Sequence, residues 1–539
     1  MNPSVNKSHR LSLTNTALLL VATTLLGQVL GFLRTKLVNG NFSATGPGST
    51  GAYFAAFTIP DFFFFTLAAG ALGVAFMPVL ADRLHKGDRK GVWDLSSSLM
   101  NLLVIVMAIV GIIIFVFAKP LVTHIVGPGL RPPQVHNAVI IMRFLAFNPM
   151  LFTLSGVFNG VQQTLGRFFF YAVAPLFYNL SIIISALVFS TRAGHTGGPW
   201  HLGLAGLGLG AMIGGVLQLI VILIGLLKTK FRWQPKILWH SKDFQLILRQ
   251  LPPRSLDQGM DQIENIVETN IASRLGGGAD IAYYNNAYIL YTAPVLLIGT
   301  AISTAAFPRL NQRLSQGRPD LFRSDFLKVL RVLIWLGMPV MIICYFVRGY
   351  LARLIFTTPS PQIALIFGYL TIAIFFRIIY SLVSRWFYAQ KDTKTPLFVS
   401  VFTIGLNIIL AYSLSRKSSY GIAGLALAQS IVATVEVIIL GIIMLIRDHK
   451  LFDKKFWGGV AKIMSITGFS IAAGIIMIAL FPLGANDHGI ITLGAKLLLI
   501  VSVVFSVHIG MSGLFGLEEV QPLFERAKRL ILKPIKLDY

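Results

Sequence analysis

Long apolar runs recur along this chain from one end to the other, and no other feature constrains its fold as tightly. Roughly twenty apolar residues in an α-helix cross the hydrocarbon core of a bilayer. Fourteen such runs can be counted, at about 11–38, 50–82, 95–118, 135–160, 168–190, 201–228, 245–275, 280–306, 325–349, 361–388, 396–416, 421–447, 457–482 and 489–515. They are too long for barrel strands and lack the alternation that strands show. Charged residues make up 12% of the chain, about half the share of a soluble domain. The expected fold is an all-α polytopic membrane protein with fourteen transmembrane helices.

The ends of the runs carry the next signal. Lys7 and Arg10 precede an apolar run that continues past Leu30 with no small-residue cleavage site. That reads as a first membrane helix and not as a signal peptide. The formal net charge of +25 invites a nucleic-acid reading, but the basic residues sort by side. The N-terminus, every second loop and the C-terminal tail hold 32 of the 46 Lys and Arg, while the opposite loops hold 9. The positive-inside rule then places both termini in the cytoplasm. The charge is an orientation signal, and no nucleic-acid partner is expected. The single cysteine, Cys344, lies inside an apolar run and reads as a small buried hydrophobe. No P-loop, zinc spacing, GxSxG or HExxH motif is present. No metal, cofactor or catalytic residue is expected, and the chain reads as a transporter.

The chain repeats itself. Pro78-Val-Leu80-Ala-Asp-Arg83-Leu84-His-Lys-Gly87 matches Pro308-Arg-Leu310-Asn-Gln-Arg313-Leu314-Ser-Gln-Gly317. Gly203-Leu-Ala205-Gly206-Leu207-Gly-Leu209 matches Gly421-Ile-Ala423-Gly424-Leu425-Ala-Leu427. Phe158 and Asn179 find partners in Phe387 and Asn407. Each repeat holds six helices. Six is even, so the second copy enters the membrane in the same orientation as the first. Parallel repeats of this kind build two lobes about an axis along the membrane normal, with substrate near the midplane between them. The expected domains are an N-lobe at 1–240, a C-lobe at 241–450, and two further helices with a basic cytoplasmic tail at 451–539. Alternating access is the mechanism that follows.

Ionisable residues inside a membrane span are costly and mark function. The seventh span carries Asp257, Asp261, Glu264 and Glu268 at i, i+4, i+7 and i+11, one face of a helix. That stripe is about 16 Å long. It reads as the wall of a cavity or as one half of a set of salt bridges to Arg254, Arg274 or another helix. Pro252-Pro253 predicts a broken or kinked start to this helix. Arg34 in the first span and Asp61 in the second are the next candidates, with Arg377 in the tenth. An arginine facing a cavity suits a phosphate group because its planar fork binds oxygens two at a time. Arg385, nearer the cytoplasmic edge, reads as a snorkelling side chain. The run Phe62-Phe63-Phe64-Phe65 reads as lipid-facing packing, and Gly276-Gly277-Gly278 as a turn or hinge.

These residues resemble a known family. Val29-Leu30-Gly31-Phe32-Leu33-Arg34 resembles its RxLGFxRD stretch. Ala55-Ala56-Phe57-Thr58-Ile59-Pro60-Asp61, with Ala69-Gly70-Ala71 and Ala75-Phe76-Met77-Pro78-Val79-Leu80, resembles its second-helix block. Phe387-Tyr388-Ala389-Gln390-Lys391-Asp392-Thr393-Lys394-Thr395-Pro396 resembles its FYAxxDxxTP loop. The family is MurJ/MviN, lipid II flippases of peptidoglycan synthesis in the MOP exporter superfamily, beside the MATE transporters. The resemblance covers nearly the whole chain. It implies that undecaprenyl-diphosphate-linked disaccharide-pentapeptide moves from the inner to the outer leaflet, with cavity arginines on the diphosphate and a potential or cation gradient as driver. It also implies partners: the lipid-linked oligosaccharide, membrane lipids and the cell-wall synthesis machinery, around a monomer.

Carried over residue by residue, the resemblance is partial. Arg34 matches the second arginine of the first-helix motif, but Gln28 stands at the first. Phe64-Phe65 replace an arginine pair and Ala69 a glutamate; Asp61 replaces an asparagine. Asn285-Asn286-Ala287 stand where Ala-Asp-Arg is usual, and Leu290 where a glutamate is usual. On this reading the substrate cavity is lined by Arg34, Asp61, Arg254, Asp257, Asp261, Glu264, Glu268 and Arg377. Sodium or proton coupling falls to Asp257, Asp261, Asn407 and Gln429, with Ala411 at a position where a further acid is expected. Two other readings stay open: a MATE-like cation-coupled exporter, favoured by the acidic seventh span and the arginine-poor cavity, and a degenerate MurJ paralogue that does not transport.

Overall fold

The computed structural model describes residues 13–69, 76–192, 195–229, 231–356, 361–484, 487, 489–522 and 524–525, with the side chains of all of these except 13–18, 68–69, 228, 250–258 and 490. Its elements are α1 (Leu13–Asn41), α2 (Thr50–Phe63), α3 (Met77–His85), α4 (Arg89–Pro120), α5 (Pro132–Leu145), α6 (Asn148–Thr164), α7 (Phe169–Val188), α8 (Ala205–Leu226), α9 (Lys242–Gly276), α10 (Gly278–Pro294), α11 (Ala301–Ser315), α12 (Pro319–Phe346), α13 (Arg348–Ile355), α14 (Pro361–Ala389), α15 (Lys394–Leu414), α16 (Ala423–Arg447), α17 (Lys454–Leu480) and α18 (Ile490–Leu514). Strands are absent among the described residues. Twelve helical segments there are long and apolar enough to cross a membrane. The two expected spans outside that dozen are α1 and α9. The acids and bases of α9 set it apart, although it forms one helix of 35 residues running through Pro252-Pro253, about 52 Å long.

The chain divides into two compact units, Met1–Ala282 and Tyr283–Tyr539. In the first, α7 packs on α1 and α8, α2 on α5, α4 on α6, and α9 on α2 and the segment after it. Phe76, Leu80, Leu95, Leu99 and Phe244 fill its core, each fully buried. In the second, α14 packs on α12 and α16, α16 on α15, and α17 on α12 and α18. Large apolar side chains cover the outside of both, such as Ile109 and Ile112 on α4 and Ile409 on α15, each more than half exposed. A surface of this kind suits lipid as its solvent.

The internal repeat is visible in the backbone. The π-helical segments Phe64–Ala69 and Val295–Thr300 stand 231 residues apart, each following a helical proline, Pro60 or Pro294. A proline inside a helix removes one backbone donor, and the ladder widens locally to a π turn. Gly87 and Gly317 end α3 and α11 with φ of 77° and 66°, each donating to the carbonyl three residues back at 3.0 Å. Both turns need a left-handed residue, which glycine supplies without strain. The equivalent arginines each pair with an aspartate, on non-equivalent helices: Arg83 donates to Asp243 on α9 at 2.6 Å and Arg313 to Asp325 on α12 at 3.0 Å.

The helices without a repeat partner are held by a buried polar cluster. Trp335 on α12 donates from Nε1 to Ser512 Oγ at 2.8 Å. His508 on α18 contacts the Trp335 carbonyl through Nε2 at 3.1 Å and Ser470 Oγ on α17 through Nδ1 at 3.0 Å. Three helices are thus tied at one point by groups that a lipid core would leave unsatisfied.

The Phe-Tyr-Ala loop serves the fold. Asp392 Oδ1 accepts from the Lys394 and Thr395 N–H groups at 3.0 Å, and Oδ2 accepts from Arg447 at 2.6 Å. Arg447 also lies over the Phe387 ring, 5.3 Å from its centroid. The motif therefore caps α15 and fastens it to the end of α16. Burial pushes the Asp392 carboxyl up, but the Thr395 and Arg447 hydrogen bonds outweigh it and hold it at about 2. A carboxyl lowered from 3.8 stabilises the fold fully above pH ~5 and loses that contribution as pH falls toward 2. The difference in melting temperature between the wild type and Asp392→Asn is expected to be constant above pH 5 and to shrink below pH 4. A difference independent of pH would show that the carboxylate charge has no part in holding the turn.

Candidate functional site

Two intramembrane charges of the first unit, Arg34 and Asp61, stand within electrostatic reach of each other on α1 and α2. Arg34 is half-buried on α1, and its charge reaches Asp61 on α2, Tyr53 on α2 and Tyr178 on α7. Arg34 forms no ion pair among the described residues within 4.0 Å. Asp61 follows Pro60 and stands three residues before the π-helical segment, so the backbone there departs from regular helix beside the charge. Tyr53 is buried and packs edge-on against Phe57, with ring centroids 4.8 Å apart. Sequence reasoning found Arg34 and Asp61 but not the two tyrosines, which look like ordinary aromatic packing in a membrane helix.

The acidic stripe of α9 divides. Glu264 and Glu268 are buried in the first unit at 7% and 4% exposure, while Asp261 is exposed. Gly259 lets the helix come close to the π-helical segment, since a Cβ there would meet the Thr66 side chain at 3.1 Å. Asp257 and Arg254 lie outside the described side chains. Arg274 donates to Asn270 at 2.8 Å.

The C-terminal end of α9 is docked on the loops of its own unit. Asn270 donates to the Ile125 carbonyl at 2.6 Å, and the Gly129 N–H to Ser273 Oγ at 3.2 Å. The Gly278 N–H donates to Gln134 Oε1 at 3.2 Å, and Gln134 donates onward to the Gly46 carbonyl at 2.8 Å. The three glycines therefore form a docked turn, with Gly277 at φ 65°. Gly51 faces this turn so closely that a Cβ would stand 1.8 Å from the Gly278 carbonyl oxygen. Backbone cannot yield as a flexible side chain does. Gly51→Ala is expected to cost about 1–3 kcal/mol by overpacking, read as a lower melting temperature; a melting temperature equal to wild type would show that the turn is loosely held.

In the second unit, Arg377 on α14 donates to Glu436 Oε2 on α16 at 2.9 Å. Ser400 on α15 donates to the other oxygen of Glu436 at 2.8 Å, and Tyr380 OH lies 3.3 Å from Ser400 Oγ. Glu436 is buried at 2% exposure. Nearly two turns away on α16, Ser430 Oγ donates to the Tyr369 carbonyl at 2.5 Å and accepts from the Ala373 N–H at 3.2 Å, so it sits inside the hydrogen-bond ladder of α14. Asn407 and Gln429 are buried on α15 and α16, which pack together. Glu436 was missed in the sequence although an acid inside the twelfth span is the signal that should have found it.

The family model described as Lipid II flippase MurJ matches residues 8–511. A probable lipid II flippase MurJ of Rhizobium tropici is 24% identical over 527 residues, covering 94% of this chain and 95% of the relative. A solved structure of lipid II flippase MurJ in an inward closed conformation superposes with a TM-score of 0.74 at 22% identity, covering 92% of this chain and 98% of that one. An inward-facing multidrug resistance MATE transporter of the MOP superfamily superposes with a TM-score of 0.67 at 16% identity, covering 81% of this chain and 98% of that one.

Proposed function

Since the chain belongs to the lipid II flippase MurJ family, we propose that it carries lipid II from the cytoplasmic to the outer leaflet of a bacterial inner membrane. The family is one of transporters, and no covalent step is assigned to any residue. Both termini lie in the cytoplasm on this reading, as the basic loops require. Two six-helix lobes alternate access to a site near the midplane. The observation that carries the reading is Arg34. It is a permanently charged group on a membrane helix, half-buried and outside any ion pair among the described residues. A guanidinium in that position is suited to a diphosphate, whose oxygens match its fork. Asp61 beside it limits the positive charge of the site, so that a bound diphosphate can also be released.

Coupling to Na⁺ or H⁺ is assigned to Asp257 and Asp261 in the first unit and to Asn407 and Gln429 in the second. The burial of Asn407 and Gln429 on the packed α15–α16 pair supports this assignment. The other two acids of the stripe, Glu264 and Glu268, are buried within the first unit and stand behind the cavity wall, with no exposed face for a substrate headgroup. Expression in cells depleted of their own lipid II flippase tests the proposal. Growth is expected to be restored; absence of growth with the protein present in the membrane would overturn it. The MATE-like reading is favoured by Phe64 and Phe65 at positions where the family resemblance places arginines. It predicts efflux of organic cations that depends on a sodium or proton gradient.

A further inference from the structure

A cavity of about 230 Å³ lies in the second unit at the start of α12 and α17, lined by Arg323, Lys328, Arg331, Lys450, Lys455 and Glu518 among others. Its acids are already committed. Glu518 takes Lys455 at 2.8 Å, and that hydrogen bond holds its carboxyl below the usual range. Asp320 takes Arg318 at 3.1 Å, and Asp453 Oδ1 accepts from the Phe456 N–H at 2.7 Å. Arg323 is paired with Asp448, and Arg331 with Glu519 at 2.5 Å. Lys328 and Lys450 are exposed and form no ion pair among the described residues. Two lysines thus face a recess in which, among the described residues, Asp453 is the lining acid without a basic side-chain partner, and the lysines outnumber it, which leaves a net attraction for an anion.

The rim of the recess says what kind of anion. Phe452, Phe456 and Trp457 form an aromatic cluster with ring centroids 5.0–6.1 Å apart, and Trp457 is 57% exposed. Aromatic side chains at the end of a membrane helix sit at headgroup level. The basic loops assign this end of α12 and α17 to the cytoplasm. We propose that this recess binds the phosphodiester headgroup of an anionic phospholipid of the cytoplasmic leaflet, with Lys328 and Lys450 on the phosphate and Trp457 at the glycerol and upper acyl chain. Basic pockets between membrane helices on that side bind such headgroups. The volume fits a glycerophosphate group and excludes a disaccharide-pentapeptide, so this site is separate from that of the transported lipid.

The test is native mass spectrometry of the full chain released from detergent with added phosphatidylglycerol or phosphatidylcholine. The wild type is expected to retain phosphatidylglycerol preferentially. Lys328→Glu with Lys450→Glu should lower that retention roughly 30-fold, from about fivefold per lysine. Lys328→Gln with Lys450→Gln gives a milder loss in the same direction and serves if the charge reversal fails to fold. Lys90→Glu with Lys236→Glu, two basic positions in the first unit, should leave retention unchanged. Equal loss in that control, or equal retention of the two lipids by the wild type, would overturn the proposal. Displacement of phosphatidylglycerol by millimolar inorganic phosphate would also overturn it, identifying free phosphate as the ligand.

Discussion

Arg34→Ala is expected to abolish rescue of cells depleted of their own lipid II flippase, with the protein still present in the membrane. The size of the effect follows from the arginine count. Each charge-assisted hydrogen bond contributes roughly 1.5–3 kcal/mol. Loss of a bidentate contact to diphosphate therefore weakens binding by about 10²- to 10⁴-fold. A family resemblance that placed several arginines on the substrate would spread such a loss over neighbours. Here Gln28, Phe64, Phe65 and Ala287 stand at positions where the resemblance places other charges, so little remains to compensate. Arg34→Lys is expected to rescue in part, because an ammonium keeps the charge but not the fork. Asp61→Asn separates two roles for the acid. If it only moderates the charge at Arg34, the variant should still support growth. Rescue by Arg34→Ala at the wild-type level would remove the diphosphate role from this residue.

The apolar runs made the membrane fold legible because lipid leaves the backbone few choices. The repeat was equally legible, since Gly87 and Gly317 are required by the same left-handed turn in each copy. The course of the individual spans was not. The run at 135–160 is two helices, α5 and α6, broken at Ala146-Phe147 ahead of Pro149. The run at 280–306 contains a π-helical segment, and the run at 325–349 ends in a separate helix, α13. Hydropathy does not register such breaks, because both sides of each break are apolar. The site was legible where a charge stands alone, as at Arg34. It was obscure where side chains from distant spans meet. Spacing put Asp261, Glu264 and Glu268 on one face, yet burial separates Asp261 from the two glutamates, because α2 and the π-helical segment cover only part of that face.

Glu436→Ala is expected to destabilise the protein by about 3–5 kcal/mol, the usual cost of removing one partner from a buried ion pair. Both carboxylate oxygens are engaged, one by Arg377 at 2.9 Å and one by Ser400 at 2.8 Å. Removing the acid takes from the Arg377 guanidinium, which lies 5.6 Å from the Tyr380 ring centroid, the carboxylate that ties α14 to α16. The pair itself is a different matter, since two charges buried together recover little beyond their desolvation. Replacing both partners with apolar residues of similar volume, Arg377→Met with Glu436→Met, should bring stability back to within about 1 kcal/mol of wild type. The interaction energy from that double-mutant cycle is therefore large and favourable even though the net worth of the pair is small. Rescue of growth by the double variant then decides what the pair is for. A stable double variant that restores growth makes Arg377 a strut between helices of the second unit and removes it from the substrate cavity. A stable double variant that fails to restore growth gives the charges a part in transport that packing cannot replace.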